Sequence, residues 1–67
     1  MRKVLIDGLK AHAQGHIEKH KSNIEIYLHG SVGIGEHPDI IGAIETELNH
    51  IAHDEDQLEV LDKYFTI

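Results

Sequence analysis

Residues 29–38 read His-Gly-Ser-Val-Gly-Ile-Gly-Glu-His-Pro, and this is the one stretch where glycines cluster with the single proline. Such clusters mark a loop, and the patterns on both sides of this one are helical. We therefore predict a helix at about 3–28, a loop at about 29–37 and a second helix at about 38–65. A chain of 67 residues has room for one small core, so residues 1–67 are predicted to form a single domain.

The first helical pattern places apolar residues on one face of the helix, at steps of three, four and seven residues. These residues are Ile6, Leu9, Ala13, Ile17, Ile24 and Tyr27. His20 fills the gap in that face. A second stripe beside it consists of small residues, namely Gly8, Ala11, Gly15 and Ser22. Because glycine weakens a helix by about 1 kcal/mol relative to alanine, the stripe favours close packing of another helix against it.

The second pattern steps by three and four residues, like the a and d positions of a coiled coil. Its members are Ile41, Ile44, Leu48, Ile51, Glu55 and Leu58. Pro38 suits the first turn of a helix, and the Asp39 carboxylate suits the positive end of the helix dipole. Two such helices joined by a short loop predict an antiparallel hairpin.

The predicted fold class is all-α, with the two-helix hairpin dimerising into a four-helix bundle. Each helix has more apolar residues than one partner helix can cover, and the extra ones are Leu5, Leu28, Ile40, Ala52 and Leu61. A second copy of the chain is the simplest cover, with a higher homo-oligomer or a compact monomer as the alternatives. We expect the core or interface to contain Leu9, Ala13, Ile17, Ile24, Ile44, Leu48, Ile51 and Leu58.

Charge is distributed unevenly along the chain, whose net charge is −6. Residues 1–21 contain five basic and two acidic residues, whereas residues 22–67 contain one lysine and ten carboxylates. Nucleic acid attracts basic surfaces, so we expect no nucleic-acid partner and a basic protein partner instead. No apolar run approaches the roughly 20 residues of a membrane span, and no targeting segment is recognised. We expect no membrane association and a cytoplasmic location.

Histidine is unusually frequent, with seven residues in the chain and no cysteine. His12, His16 and His20 share one face of the first helix, because they are four residues apart. Glu47 and His50 form a Glu-x-x-His step, like those that present ligands inside di-iron bundles. The hairpin register places His20 opposite Glu47 and His12 opposite Glu55.

Two interpretations of these histidines remain open. In the favoured one they are solvated or form histidine–carboxylate pairs that fix the register, and no cofactor is bound. In the alternative, His16, His20, Glu47 and His50 bind zinc or another transition metal.

The glycine-rich loop allows one further hypothesis, an anion site at Gly33 and Gly35 beside the start of the second helix. A tight helix connection explains these glycines better, because the loop lacks the order of a phosphate-binding motif. The only serines, Ser22 and Ser31, have no triad setting, so we predict no catalytic residues and no enzyme.

Several segments also resemble a known group of proteins. They are residues 15–20 (GHIEKH), 23–28 (NIEIYL), 32–37 (VGIGEH), 56–59 (DQLE) and 63–65 (KYF). The sequence is similar to small uncharacterised proteins encoded by marine tailed bacteriophages, including cyanophages, and found in ocean metagenomes. The resemblance implies a phage or environmental origin and an intracellular or virion-associated life, with the host cytoplasm as location for a phage-encoded protein, and it implies no activity.

The favoured function is that of a small non-enzymatic accessory protein that forms an oligomeric helical bundle. It would bind another protein through an acidic surface. The acidic run at 54–56, with Glu59 and Asp62, supplies that surface on the second helix.

Overall fold

The computed structural model describes residues 1–30 and 39–66. Helix α1 spans Arg2–His29 and helix α2 spans Ile40–Tyr64, and the two pack against each other along their length. The part of the chain that is described contains no strand, so the predicted all-α hairpin is confirmed. The observed helix ends lie within two residues of the predicted ones. Most of the predicted loop, including Gly33 and Gly35, lies outside the described residues, as does Pro38 at the predicted start of the second helix.

Helix α2 begins with a side-chain cap. The Gly42 backbone N–H donates a hydrogen bond of 2.8 Å to the Asp39 carboxylate. A Cβ atom on Gly42 would collide with that carboxylate, so glycine at this position leaves room for the cap. Such a cap satisfies one of the free N–H groups at the helix start and typically contributes about 1 kcal/mol.

The hairpin is a thin rod of 48 × 16 × 14 Å with a very small core. Among the described apolar residues, only Ala13 and Ile17 are buried, at 3% and 5% exposure. The rest of the apolar seam between the helices is half-buried, and consists of Ile6, Ile24, Tyr27, Ile40, Ala43, Ile44, Ile51, Leu58 and Leu61. The third buried residue is a charged one, Asp54, at 6% exposure.

The predicted α2 seam consists of two rows of residues, and the prediction for one of these rows is wrong by one position along the sequence. Ile44, Ile51 and Leu58 lie in the seam as predicted. The second row does not consist of the predicted Ile41, Leu48 and Glu55, which are exposed. It consists of their neighbours Ile40, Glu47 and Asp54, followed by Leu61. Glu47 and Asp54, the two carboxylates in this row, face histidines of α1. These contacts compensate for the cost of placing carboxylates between the helices.

On α1 the predicted core residue Leu9 is 56% exposed, and on α2 Leu48 is 50% exposed. Leu9 is displaced from the seam by its neighbour Lys10, whose ammonium group lies 2.8 Å from the Asp62 carboxylate. The long lysine side chain covers apolar surface with its methylene groups while its charged end reaches the carboxylate. Among the described residues, Leu9 and Leu48 are therefore not part of the hairpin core.

The stripe of small residues on α1 does not face α2. Gly8 and Gly15 have no atom within 4 Å of the position that a Cβ would occupy. The expected close helix packing over this stripe is therefore not made inside the hairpin.

Candidate functional site

Five histidines of the two helices line one groove. The four-residue spacing on α1 and the three-residue spacing on α2 put them on one side of the hairpin. This histidine groove has a volume of about 610 Å³ and is lined by His12, His16, Lys19, His20, His50, His53, Asp54 and Gln57. The sequence predicted the α1 row, and the structure adds His53 and Asp54 to the residues that face it.

At one end of the groove His20 and Glu47 form a half-buried hydrogen bond between Nδ1 and Oε2. Asn23 Nδ2 donates a second bond of 3.1 Å to Oε1 of the same carboxylate. The predicted opposition of His20 and Glu47 is thus observed, whereas Glu47 lies in the seam rather than beside it. Asn23 was missed, although its place one turn after His20 on the same face is a signal that could have found it.

The Glu47 carboxyl group responds to these neighbours. Burial by itself raises its pKa, but the hydrogen bonds from His20 and Asn23 and the charges of His20 and His50 outweigh that effect. The pKa of Glu47 is therefore held below its ordinary value. A carboxylate that stays ionised between two helices acts as a fixed acceptor and favours one register of the hairpin.

Two close ring contacts join four of the five groove histidines into two pairs. The His20 and His50 rings are stacked, with centroids 4.5 Å apart and planes only 9° from parallel. The His12 and His16 rings, on successive turns of α1, have centroids 4.2 Å apart and planes tilted by 50°. The lone pair of an imidazole nitrogen lies in the plane of its ring. Because the His20 and His50 rings are nearly parallel, their lone pairs do not point at a common ion between the two rings.

In the middle of the groove His16 faces the buried carboxylate of Asp54. The distance between His16 Nδ1 and Asp54 Oδ2 is 3.7 Å, which is an ion-pair distance rather than a hydrogen bond. This contact replaces the predicted opposition of His12 and Glu55, because the α2 seam is shifted by one residue. Asp54 is nearly inaccessible while His16 is about half-exposed, so the carboxylate lies behind the ring as seen from solvent.

The four residues of the predicted metal site are only partly brought together. His20 contacts both Glu47 and His50, whereas the His16 ring centroid is 6.1 Å from that of His20. Among the residues that the structure describes, no three histidine, aspartate or glutamate side chains are arranged to hold a metal ion.

An apolar groove adjoins the histidine groove at the end where α1 begins. It has a volume of about 550 Å³ and is lined by Met1, Arg2, Leu5, Ile6, Leu9, Leu61 and Phe65. Leu9 and His12 line a smaller cavity between the two grooves. The two grooves and the cavity between them form one long face of the hairpin, which we name the histidine face.

The opposite side of the hairpin is strongly acidic. Seven exposed carboxylates lie on this side, which we name the acidic face. They are Asp7, Glu18, Glu25, Glu45, Glu55, Glu59 and Asp62. Three lysines form ion pairs with Asp7, Glu18 and Asp62 at 2.6–3.4 Å. The α2 carboxylates Glu45 and Glu59 make no ion pair among the described residues, so the face retains a net negative charge.

Comparison with protein-family models, curated proteins and solved structures gives no match to the chain. Neither described helix combines the length and the apolar character that crossing a membrane requires.

Proposed function

We propose that this chain is a non-enzymatic accessory protein whose working unit is a homodimeric four-helix bundle. The bundle would bind a second, basic protein through its acidic face. The observation that carries the proposal is the mismatch between the apolar residues of the hairpin and the few that it buries.

The area of the chain supports the dimer. Its accessible surface is 5277 Å², whereas a compact monomer of this mass exposes about 4,300 Å². Its radius of gyration is 15.3 Å, against about 11 Å for a compact domain of this length. The excess surface of about 1,000 Å² is close to the roughly 800 Å² that each partner buries in a stable interface.

The charges on the two faces support different partners. The histidine face carries two basic and two acidic side chains when its histidines are neutral, namely Arg2, Lys19, Asp54 and Asp56. Two copies can approach through such a face without net repulsion. Two acidic faces would repel each other, and a basic partner would be attracted to either one.

Sedimentation analysis of the metal-free protein at neutral pH tests the dimer. We expect the mass of two chains, and we expect Leu9→Asp to give monomers because it places a charge in the apolar groove. Leu48→Asp is the matched control, since it adds the same charge to an exposed leucine flanked by the acidic face. A monomeric wild-type chain would contradict the proposal, and so would a dimer that survives the first variant.

The acidic face is tested with a lysine octapeptide as the basic probe at low ionic strength. We expect the triple variant Glu45→Gln, Glu55→Gln, Glu59→Gln to keep the dimer mass and to weaken peptide binding by tenfold or more. The control triple variant Asp7→Gln, Glu18→Gln, Glu25→Gln changes the net charge equally. Its carboxylates already pair with Lys3, Lys21 and His29, so its effect should be smaller. Equal weakening by both variants would contradict a localised docking surface.

A further inference from the structure

The histidine groove lies at the middle of the hairpin. His12 and His16 are close to the midpoint of α1, and His53 is close to the midpoint of α2. A two-fold dimer uses the same surface on both copies. When the histidine face packs on itself with the two-fold axis passing through the histidine groove, the middle of one rod lies on the middle of the other. The histidines of the two copies then meet near the symmetry axis.

His16 has the surroundings of a metal-ligating histidine. Its Nδ1 side faces the buried carboxylate of Asp54 at 3.7 Å, so its Nε2 side is directed away from that carboxylate. Histidines that bind metals typically have a carboxylate or carbonyl on the other ring nitrogen, which orients the ring and makes it a better ligand. The Asp54 carboxylate lies on the matching side of the His16 ring, at an ion-pair distance that is longer than a hydrogen bond.

A single chain supplies only part of a ligand set. His20 is hydrogen-bonded to Glu47 and stacked on His50, whereas the His12 and His16 rings lie next to each other on successive turns of α1, with centroids 4.2 Å apart. Histidines four residues apart on a helix are a common two-ligand unit. A tetrahedral site needs four ligands, and no three potential ligands converge within the described part of one chain. A second copy packed on the histidine face would supply the missing pair.

We propose that two copies of the chain form one transition-metal site at their interface, with the His12 and His16 imidazoles of each copy as ligands. This proposal rests on the proposed dimer. Four neutral imidazoles suit a tetrahedral divalent ion such as zinc. The two Asp54 carboxylates, one behind each His16, offset the charge of the ion and position the rings.

Native mass spectrometry and sedimentation with zinc chloride as the only added metal test the site. The protein is purified without a nickel resin and is first stripped with a chelator. We expect a metal-free dimer that takes up one zinc per two chains, with the dimer dissociation constant lowered tenfold or more. His16→Gln should keep the dimer mass and lose the zinc. His29→Gln is the matched control, because this exposed histidine on α1 pairs with Glu25 and does not line the histidine groove.

The outcomes separate this proposal from the proposed function. A metal-free dimer that takes up no zinc overturns the interchain site and leaves the dimer standing. One zinc bound per monomer, or full zinc content in His16→Gln, also overturns the site. A chain that is monomeric without zinc and dimeric with it supports the site and contradicts the metal-free bundle. A chain that is monomeric under both conditions overturns both proposals.

Discussion

The histidine face and the acidic face lie on opposite sides of the same two helices, and both leave leucine side chains exposed. On the histidine face, where basic and acidic side chains balance, Leu5 and Leu9 border a concave apolar groove. On the acidic face the exposed Leu48 is flanked by unpaired carboxylates such as Glu45. The exposed leucines of the two faces therefore differ in the charge of their surroundings. We expect this charge to determine whether a second copy can approach.

The comparison also explains how two helices with so small a core can be useful. A hairpin that buries two apolar residues has little stability of its own, since single domains of this size are marginal even with a full core. In the proposed dimer, one face would stabilise the fold through assembly and the other face would stay free for a partner.

The largest effect is expected from Ile51→Asp, which places a carboxylate in the half-buried seam between the helices. An unpaired charge there should lower the free energy of unfolding by about 3 kcal/mol or more, which is comparable to the whole stability of a small domain. We expect the variant to lose most of its helical signal in far-ultraviolet circular dichroism at 25 °C.

The matched substitution Leu48→Asp lies three residues earlier on the same helix, on an exposed side chain. It should change the unfolding free energy by no more than about 0.5 kcal/mol. If both variants unfold to the same extent, Leu48 is buried in the assembled protein. The assignment of the acidic face as the outer surface would then be wrong.

These two positions show how far the sequence could predict the seam. The repeat at Ile44, Ile51 and Leu58 defines one row of α2 correctly, but the second row can lie three or four residues further on. Apolarity favoured Leu48, and the structure uses Glu47. A rule based on hydrophobicity could not make that choice, because it depends on a histidine that lies 27 residues away in the sequence.

A smaller effect is expected from Glu47→Gln. The wild-type carboxylate accepts bonds from His20 and Asn23, and its loss should lower the unfolding free energy by roughly 1.5 kcal/mol at neutral pH. Folding lowers the pKa of Glu47 from its ordinary value of 4.5. The carboxylate therefore makes its full contribution to the free energy of unfolding at pH values above 4.5. The contribution is lost as the pH falls through the folded-state pKa. Urea denaturation at about pH 7 and about pH 3 should show the difference between wild type and variant shrinking on acidification.

Glu45→Gln is the control for the pH series, since Glu45 is exposed and lies two residues earlier on the same helix. Its effect should stay within about 0.5 kcal/mol at both pH values, as for an isolated surface charge. A Glu47→Gln difference that is independent of pH would mean that the lowered pKa contributes nothing to stability.

The candidate site was predictable in its parts but not in its arrangement. Spacing along α1 identified the row of histidines, and the hairpin register placed His20 opposite Glu47. The pairing of His16 with Asp54 could not be predicted, because it follows from the one-residue shift of the α2 seam. The stacking of His20 on His50 depends on side-chain conformations, which residue spacing does not determine.

The smallest effect is expected from Gly15→Ala on the stripe of small residues, which belongs to neither named face. The site of the added methyl group is open, so the higher helix propensity of alanine should raise the unfolding free energy by up to about 1 kcal/mol. Thermal melting measures this. Gly42→Ala is the control, because its methyl group would collide with the Asp39 cap and offset the same gain. If Gly15→Ala instead destabilises the protein, another helix covers the stripe in the assembly. The second copy would then dock there rather than on the histidine face.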